Sequence, residues 1–165
     1  MRLFVAIQLS DTIRDSLSAV QTYLRDHGVR GNYTKLENLH LTLAFIGEYS
    51  DADSALEVIR SVPFAPFPMR IEGFDSFGDL YWCGISANDT LLSYVKRLHR
   101  ALAENGIPFD RKKFSPHITL IRRAESDKRR GFPSVTIPDM FMQVSGVSLM
   151  RSDRTKSGMV YTEVE

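Results

Sequence analysis

Two stretches carrying the same tetrapeptide constrain this chain more than any other feature. Leu39-His40-Leu41-Thr42-Leu43-Ala44-Phe45-Ile46-Gly47 and Ser115-Pro116-His117-Ile118-Thr119-Leu120-Ile121-Arg122 share the core His-X-Thr-Leu, with 77 residues from His40 to His117. Both are apolar runs with aromatic or β-branched residues between turn-formers, and so read as strands. Side chains alternate across a strand. Alternation puts His40, Thr42 and Ala44 on one face and Leu41, Leu43 and Phe45 on the other, while His117 and Thr119 oppose Ile118 and Leu120. A face presenting an imidazole and a hydroxyl is poor core material, so two such faces point to one shared site. The remaining histidines read as structural. His27, in Asp26-His27-Gly28, falls at a helix end where a cation suits the dipole, and His99 reads as a surface residue of a basic helix.

The rest of the chain alternates short strands and helices without a low-complexity linker. Met1 to Leu9 is an apolar run too short for a signal peptide or membrane span and reads as a buried strand. Ser10-Asp11 caps a helix to about His27 with Ile13, Leu17, Val20 and Leu24 inward. A polar loop, 31–38, leads into the first histidine strand. Asp51 caps a second helix through Ile59, and three prolines, Pro63, Pro66 and Pro68, enforce an extended connection. Strands 69–77 and 80–86 flank Gly78-Asp79, which suits a type II′ hairpin. Asn88 caps a third helix to Glu104 with Leu91, Leu92, Val95, Leu98 and Leu102 on its apolar side. After the second histidine strand come a basic loop, 124–133, a strand 140–150, a loop 152–158 and a strand 159–164. Each histidine strand follows a helix and its loop, which suggests duplicated units.

A chain of 165 residues, 43% hydrophobic, suffices for one domain, 1–165, with a substantial core. Its one cysteine, Cys83, allows no intramolecular disulfide and no cysteine metal cluster, and a cytoplasmic enzyme is expected. The net charge of +1 conceals an asymmetry. Residues 1–110 carry 10 Lys/Arg against 14 Asp/Glu, and residues 111–165 carry 11 against 6. Gathered around the second histidine strand, that excess would attract a polyanion such as RNA.

Transfer at a phosphodiester needs a base at the attacking oxygen and an acid at the departing one. Histidine serves either role near neutrality. Two imidazoles facing across a cleft are therefore a metal-free solution, with the two threonine hydroxyls donating to non-bridging oxygens and a cation such as Arg122 adding a charge-assisted contact. No phosphate-binding glycine loop, nucleophile elbow, His-Glu-X-X-His or dinucleotide fingerprint is present. No carboxylate sits within either motif to complete a metal shell.

These residues resemble the two-histidine phosphoesterases, and within them the RNA 2′,3′-cyclic phosphodiesterases also called 2′-5′ RNA ligases. Met1-Arg2-Leu3-Phe4-Val5-Ala6-Ile7 is similar to that family's opening strand. Glu37 to Glu48 and Pro116 to Arg122 are similar to its two motifs, and Tyr81-Trp82-Cys83-Gly84 and Tyr161-Thr162 also fit. Gly31-Asn32-Tyr33-Thr34-Lys35 departs from the family in lacking its Trp and Pro. The resemblance implies an α+β fold of two pseudo-symmetric lobes, each an antiparallel sheet with outer helices, around a V-shaped cleft. It implies His40 and His117 as the catalytic pair and Thr42, Thr119 and Arg122 as substrate contacts. It further implies hydrolysis of 2′,3′-cyclic phosphate RNA ends to 2′-phosphates, a related 2′-5′ joining of RNA ends such as tRNA halves, and no metal or ATP. A monomer with no membrane association is expected. Two alternatives stand beside this reading: a phosphodiesterase for a small cyclic nucleotide or ADP-ribose cyclic phosphate, and a non-catalytic RNA-end-binding module.

Strict alternation and the family pattern disagree at one place. Alternation from His117 sends Arg123 to the cleft face and Arg122 away, whereas the resemblance makes Arg122 the contact. Both hold only if the strand twists, bulges or ends near Ile121.

Overall fold

Nine strands and three helices arise where the sequence patterns place most of them, in a computed structural model that describes all residues from Met1 to Glu165. In order these are β1 (Arg2–Gln8), α1 (Asp11–Asp26), β2 (Arg30–Tyr33), a 3-10 turn (Leu36–Asn38), β3 (His40–Glu48), α2 (Ala52–Ser61), β4 (Phe67–Phe77) and β5 (Leu80–Ile85). They continue with α3 (Asp89–Glu104), β6 (His117–Glu125), β7 (Met140–Val144), β8 (Ser148–Thr155) and β9 (Gly158–Glu163). Side chains of Ser10, Asp51 and Asn88 accept the amides of Ile13, Ser54 and Leu91, so each helix starts at a residue able to satisfy an orphan donor. Gly78, at φ 58°, takes the first corner of the β4–β5 turn, as a type II′ hairpin requires.

The strands form two wholly antiparallel sheets, ordered β3-β1-β8-β9 and β2-β6-β5-β4-β7. Each histidine strand is thus paired with the strand that precedes a long helix: β3 with β1, and β6 with β5. The helices cross over. The first, α1, leaves β1 of the first sheet and packs behind β6 and β7 of the second, whereas α3 leaves β5 of the second sheet and packs behind β3 of the first. One continuous cluster of 37 buried residues runs through both sheets. No helix is long and apolar enough to cross a membrane.

Five expectations need correction. The 31–38 loop contains β2, an edge strand paired with β6, because Gly31 lets its backbone press against β6 where a Cβ would stand 2.7 Å from Ile121 Cγ2 and 2.9 Å from Arg122 O. The expected strand 140–150 is broken at Ser145-Gly146-Val147, and its halves enter different sheets as β7 and β8. The loop expected at 152–158 is mostly ladder, since β8 pairs with β9 as far as Thr155 opposite Gly158. Leu92 is exposed, and Tyr94 takes the buried place instead. Nor do the sheets correspond to contiguous halves of the chain, as simple duplication suggests: the C-terminal β8 and β9 complete the first sheet, and β2 edges the second.

Candidate active site

The two histidine strands run close together without sharing a ladder. Each carries a β-bulge at the same motif position. Against β1, Thr42 pairs with Ala6 and Ala44 with Val5, leaving Leu43 as the extra residue. Against β5, Thr119 pairs with Trp82 and Ile121 with Tyr81, leaving Leu120 extra. A bulge restarts alternation one residue out of phase. Ala44 and Ile121, which strict alternation puts beside the histidines, therefore turn into the core at 4% and 0% exposure. The fifth residue after each histidine joins the His and Thr face instead: Phe45 on β3 and Arg122 on β6, both exposed. The face assignment of Ala44 and Phe45 made from periodicity is accordingly reversed, and Arg122 shares a face with His117 and Thr119. Arg123, next along, adopts a left-handed φ of 52° at a second irregularity, where β6 meets β2.

Each imidazole is oriented by the carbonyl two residues before it. His40 Nδ1–H donates to Asn38 O at 2.7 Å, and His117 Nδ1–H donates to Ser115 O at 2.7 Å. A carbonyl can only accept, so in the neutral rings Nδ1 carries the proton and Nε2 holds the lone pair. His40 Nε2 accepts from Thr42 Oγ1 at 2.8 Å. Asn38 is itself buried, and its Nδ2 donates to Met159 O at 2.9 Å, tying the 3-10 turn to β9. Aromatic rings frame both histidines: Phe4 at 4.9 Å and Tyr161 edge-on at 5.3 Å beside His40, Phe77 edge-on at 5.1 Å and Trp82 at 6.0 Å beside His117.

Burial is the main reason that the His40 pKa lies below the ordinary imidazole value of 6.5. The bond to Asn38 O opposes this, and the charges of Arg122, Arg14 and His117 add to the lowering. The approach of β3 to β6 brings the two motifs near one another. Neither Arg122 nor Arg14 is paired with a carboxylate, and Arg14 Nε and Trp82 Nε1 are buried without a partner. No three His, Cys, Asp or Glu side chains gather as a metal shell.

Sequence reasoning missed Arg14, Phe4, Phe77 and Trp82 as lining residues. A cation beside the buried stripe of an otherwise amphipathic helix was the available signal for Arg14. His99 is half-buried rather than a surface residue, and its Nε2–H donates to Leu43 O at 2.9 Å. The basic excess is spread over several elements. Arg111 to Lys113 lie on the segment entering β6, Lys128 to Arg130 on the loop leaving it, and Arg151 on the first sheet, where Asp153 pairs with it at 3.0 Å.

A family model described as the 2′-5′ RNA ligase superfamily matches residues 9–156. An RNA 2′,3′-cyclic phosphodiesterase of Thermotoga maritima is 28% identical, over 98% of this chain and 91% of its own. One of Thermus thermophilus is 30% identical, over 100% and 88%. The crystal structure of E. coli LigT complexed with 3′-AMP superposes with a TM-score of 0.81 at 26% identity, covering 99% of this chain and 95% of that one.

Proposed function

Because the chain belongs to the 2′-5′ RNA ligase superfamily, we propose that it opens 2′,3′-cyclic phosphates at RNA ends, with His40 and His117 as its acid–base pair. The observation that carries this reading is the paired orientation of the imidazoles. Each Nδ1–H is held by a backbone carbonyl, so each Nε2 is the nitrogen left for proton transfer. At His40 the substrate takes the place of the Thr42 hydroxyl that Nε2 accepts from. One Nε2 takes a proton from water as its oxygen attacks phosphorus. The bond from phosphorus to the 3′-oxygen breaks, the other imidazole, protonated, gives that oxygen its proton, and a 2′-phosphate remains. A 5′-hydroxyl in place of water joins two RNA ends by a 2′-5′ bond, and the histidines exchange roles in the reverse direction. Thr42, Thr119 and Arg122 contact the phosphate oxygens and stabilise charge developing there. The chain works without metal or ATP, in the cytoplasm, as a monomer acting on RNA ends such as tRNA halves.

The test is turnover of an oligonucleotide ending in a 2′,3′-cyclic phosphate, run beside a 2′,3′-cyclic mononucleotide and an ADP-ribose cyclic phosphate. The oligonucleotide is expected to be the best substrate and to yield a 2′-phosphate. His40→Ala and His117→Ala, each still folded by circular dichroism, are expected to lose about 10²- to 10⁴-fold. Near-normal turnover by either variant would overturn the two-histidine mechanism. Preference for a small cyclic phosphate would overturn the RNA assignment.

A further inference from the structure

The bulges that turn Arg122 and Phe45 toward the histidines need support, because each leaves the ladder locally disrupted. Both receive it from the helix that crosses over from the other sheet. Gln21 of α1 is 5% exposed, one of only two buried polar side chains in the molecule. Its Nε2 donates to Leu120 O at 3.0 Å and to Thr34 O at 2.9 Å, and Leu120 O also accepts the Thr34 amide at 2.9 Å. His99 of α3 donates through Nε2–H to Leu43 O at 2.9 Å. Leu120 and Leu43 are the extra residues of the two bulges. Gln21 and His99 also occupy the same place in their helices, eleven residues after the N-cap (Ser10 to Gln21, Asn88 to His99). A single coincidence of this kind could be ordinary helix-to-sheet packing. Two side chains of different type, at matched helix positions and on matched carbonyls, point to a shared task.

We propose that Gln21 and His99 are positioning residues for the two histidine strands, each clamping the bulge carbonyl that sets the direction of the fifth residue after the histidine. Gln21 thereby holds Arg122 toward the phosphate, a consequence that rests on the phosphodiesterase reading above. His99 holds the β3 bulge, and with it the relation of His40 and Thr42 to Phe45. Each helix comes from the opposite sheet, so the clamps also tie the geometry of each motif to the strand pair of the other.

Gln21→Met keeps the length and apolar body of the side chain but removes both N–H donors. It is expected to lower kcat/KM on the cyclic-phosphate oligonucleotide, and affinity for inorganic phosphate, by roughly tenfold, part of what one charge-assisted hydrogen bond is worth. In an Arg122→Ala background the same change is expected to alter either quantity by less than about twofold, since the positioned residue is gone. A Gln21 that served stability alone would lower the melting temperature yet give equal factors in both backgrounds. For the other clamp, His99→Gln supplies a donor of the kind used at Leu120 and is expected to stay within about threefold of wild type, whereas His99→Leu loses roughly tenfold. Equal losses with and without Arg122, an unaffected Gln21→Met protein, or a His99→Gln protein as impaired as His99→Leu would overturn the assignment. A wild-type protein that binds phosphate but opens no cyclic phosphate would overturn only the phosphodiesterase reading, and the phosphate affinities would still decide the role of Gln21.

Discussion

Replacing Arg122 and Arg123 separately by alanine tests whether the β6 bulge, rather than strict alternation, decides which guanidinium meets the substrate. Arg122 lies on the His117 and Thr119 face, has no carboxylate partner and contributes to the lowering of the His40 pKa. If Arg122 contacts the phosphate as proposed, removing it deletes one charge-assisted hydrogen bond, worth about 1.5–3 kcal/mol. At about 1.4 kcal/mol per decade this corresponds to a loss of roughly 10- to 150-fold in kcat/KM. Arg123 is exposed at φ 52° on the far side of the bulge. Alanine keeps a Cβ there, so the backbone strain is unchanged and activity is expected to move by less than about twofold. The assay is kcat/KM on a cyclic-phosphate-ended oligonucleotide for both variants at one fixed ionic strength, because screening alters all phosphate contacts. A larger loss for Arg123→Ala, or an Arg122→Ala variant within twofold of wild type, would refute the bulge argument.

Four further outcomes follow from the structure. His40, titrated by NMR, is expected below 6.5 and to move upward in Arg122→Ala, since a charge that disfavours the imidazolium is removed; an unmoved value would mean that Arg122 points elsewhere. Because the folded-state value is depressed, the unfolded chain binds the His40 proton first as pH falls below 6.5. Stability is therefore expected to decline from there through the folded pKa, and less steeply in His40→Gln, as followed by urea unfolding between pH 7 and 5. Gly31→Ala would put its Cβ 2.7 Å from Ile121 Cγ2 and 3.0 Å from Ala124 Cα, which we expect to cost about 1–3 kcal/mol and to lower Tm by about 3–10 °C; an unchanged Tm would refute the close approach. Turnover is expected to survive exhaustive chelation, because the proposed acid–base pair consists of side chains, and strict dependence on an added divalent ion would sink that mechanism.

What could be read in advance, and what could not, divides along the range of the interactions. The helix starts were legible because a cap is a local event: Ser10, Asp51 and Asn88 each satisfy an amide three residues on. The paired histidines were legible because a repeat needs no knowledge of the fold. Bulges were not, since the extra residue at Leu43 or Leu120 is defined only by the strand opposite, and no local preference distinguishes those leucines from their neighbours. Hence periodicity puts Ala44 and Phe45 on the wrong faces, and the face of Arg122 is defined only by the register of β5 against β6. The same limit hid His99 and Gln21, whose partners lie 56 and 99 residues away in sequence. It hid β2 as well, which needs Gly31 only because β6 comes so close.

The crossing of the helices bears on whether the two sheets can unfold separately. The first sheet takes β1 and β3 from the N-terminal part of the chain and β8 and β9 from its end, so closing it requires the chain to pass through every strand of the second. Helix α1 begins at the first sheet but covers the second, and α3 does the reverse. The core is correspondingly undivided, with Leu3, Val5, Leu41 and Leu43 in the same buried cluster as Met69, Cys83, Ile118 and Leu120. Detaching either sheet would expose the apolar stripe of a helix from the other and leave Gln21 or His99 without its carbonyl, so a half-folded state forfeits both packing and buried hydrogen bonds. We therefore expect one cooperative transition in urea, with a slope in the usual range of about 1–3 kcal/mol/M. Fluorescence of Trp82, the only tryptophan, reports on the second sheet, and the NMR signal of the His40 ring reports on the first. Coincident midpoints and slopes from the two probes are the expected result; a His40 signal lost at a lower urea concentration than the Trp82 transition would show that the sheets part before they melt.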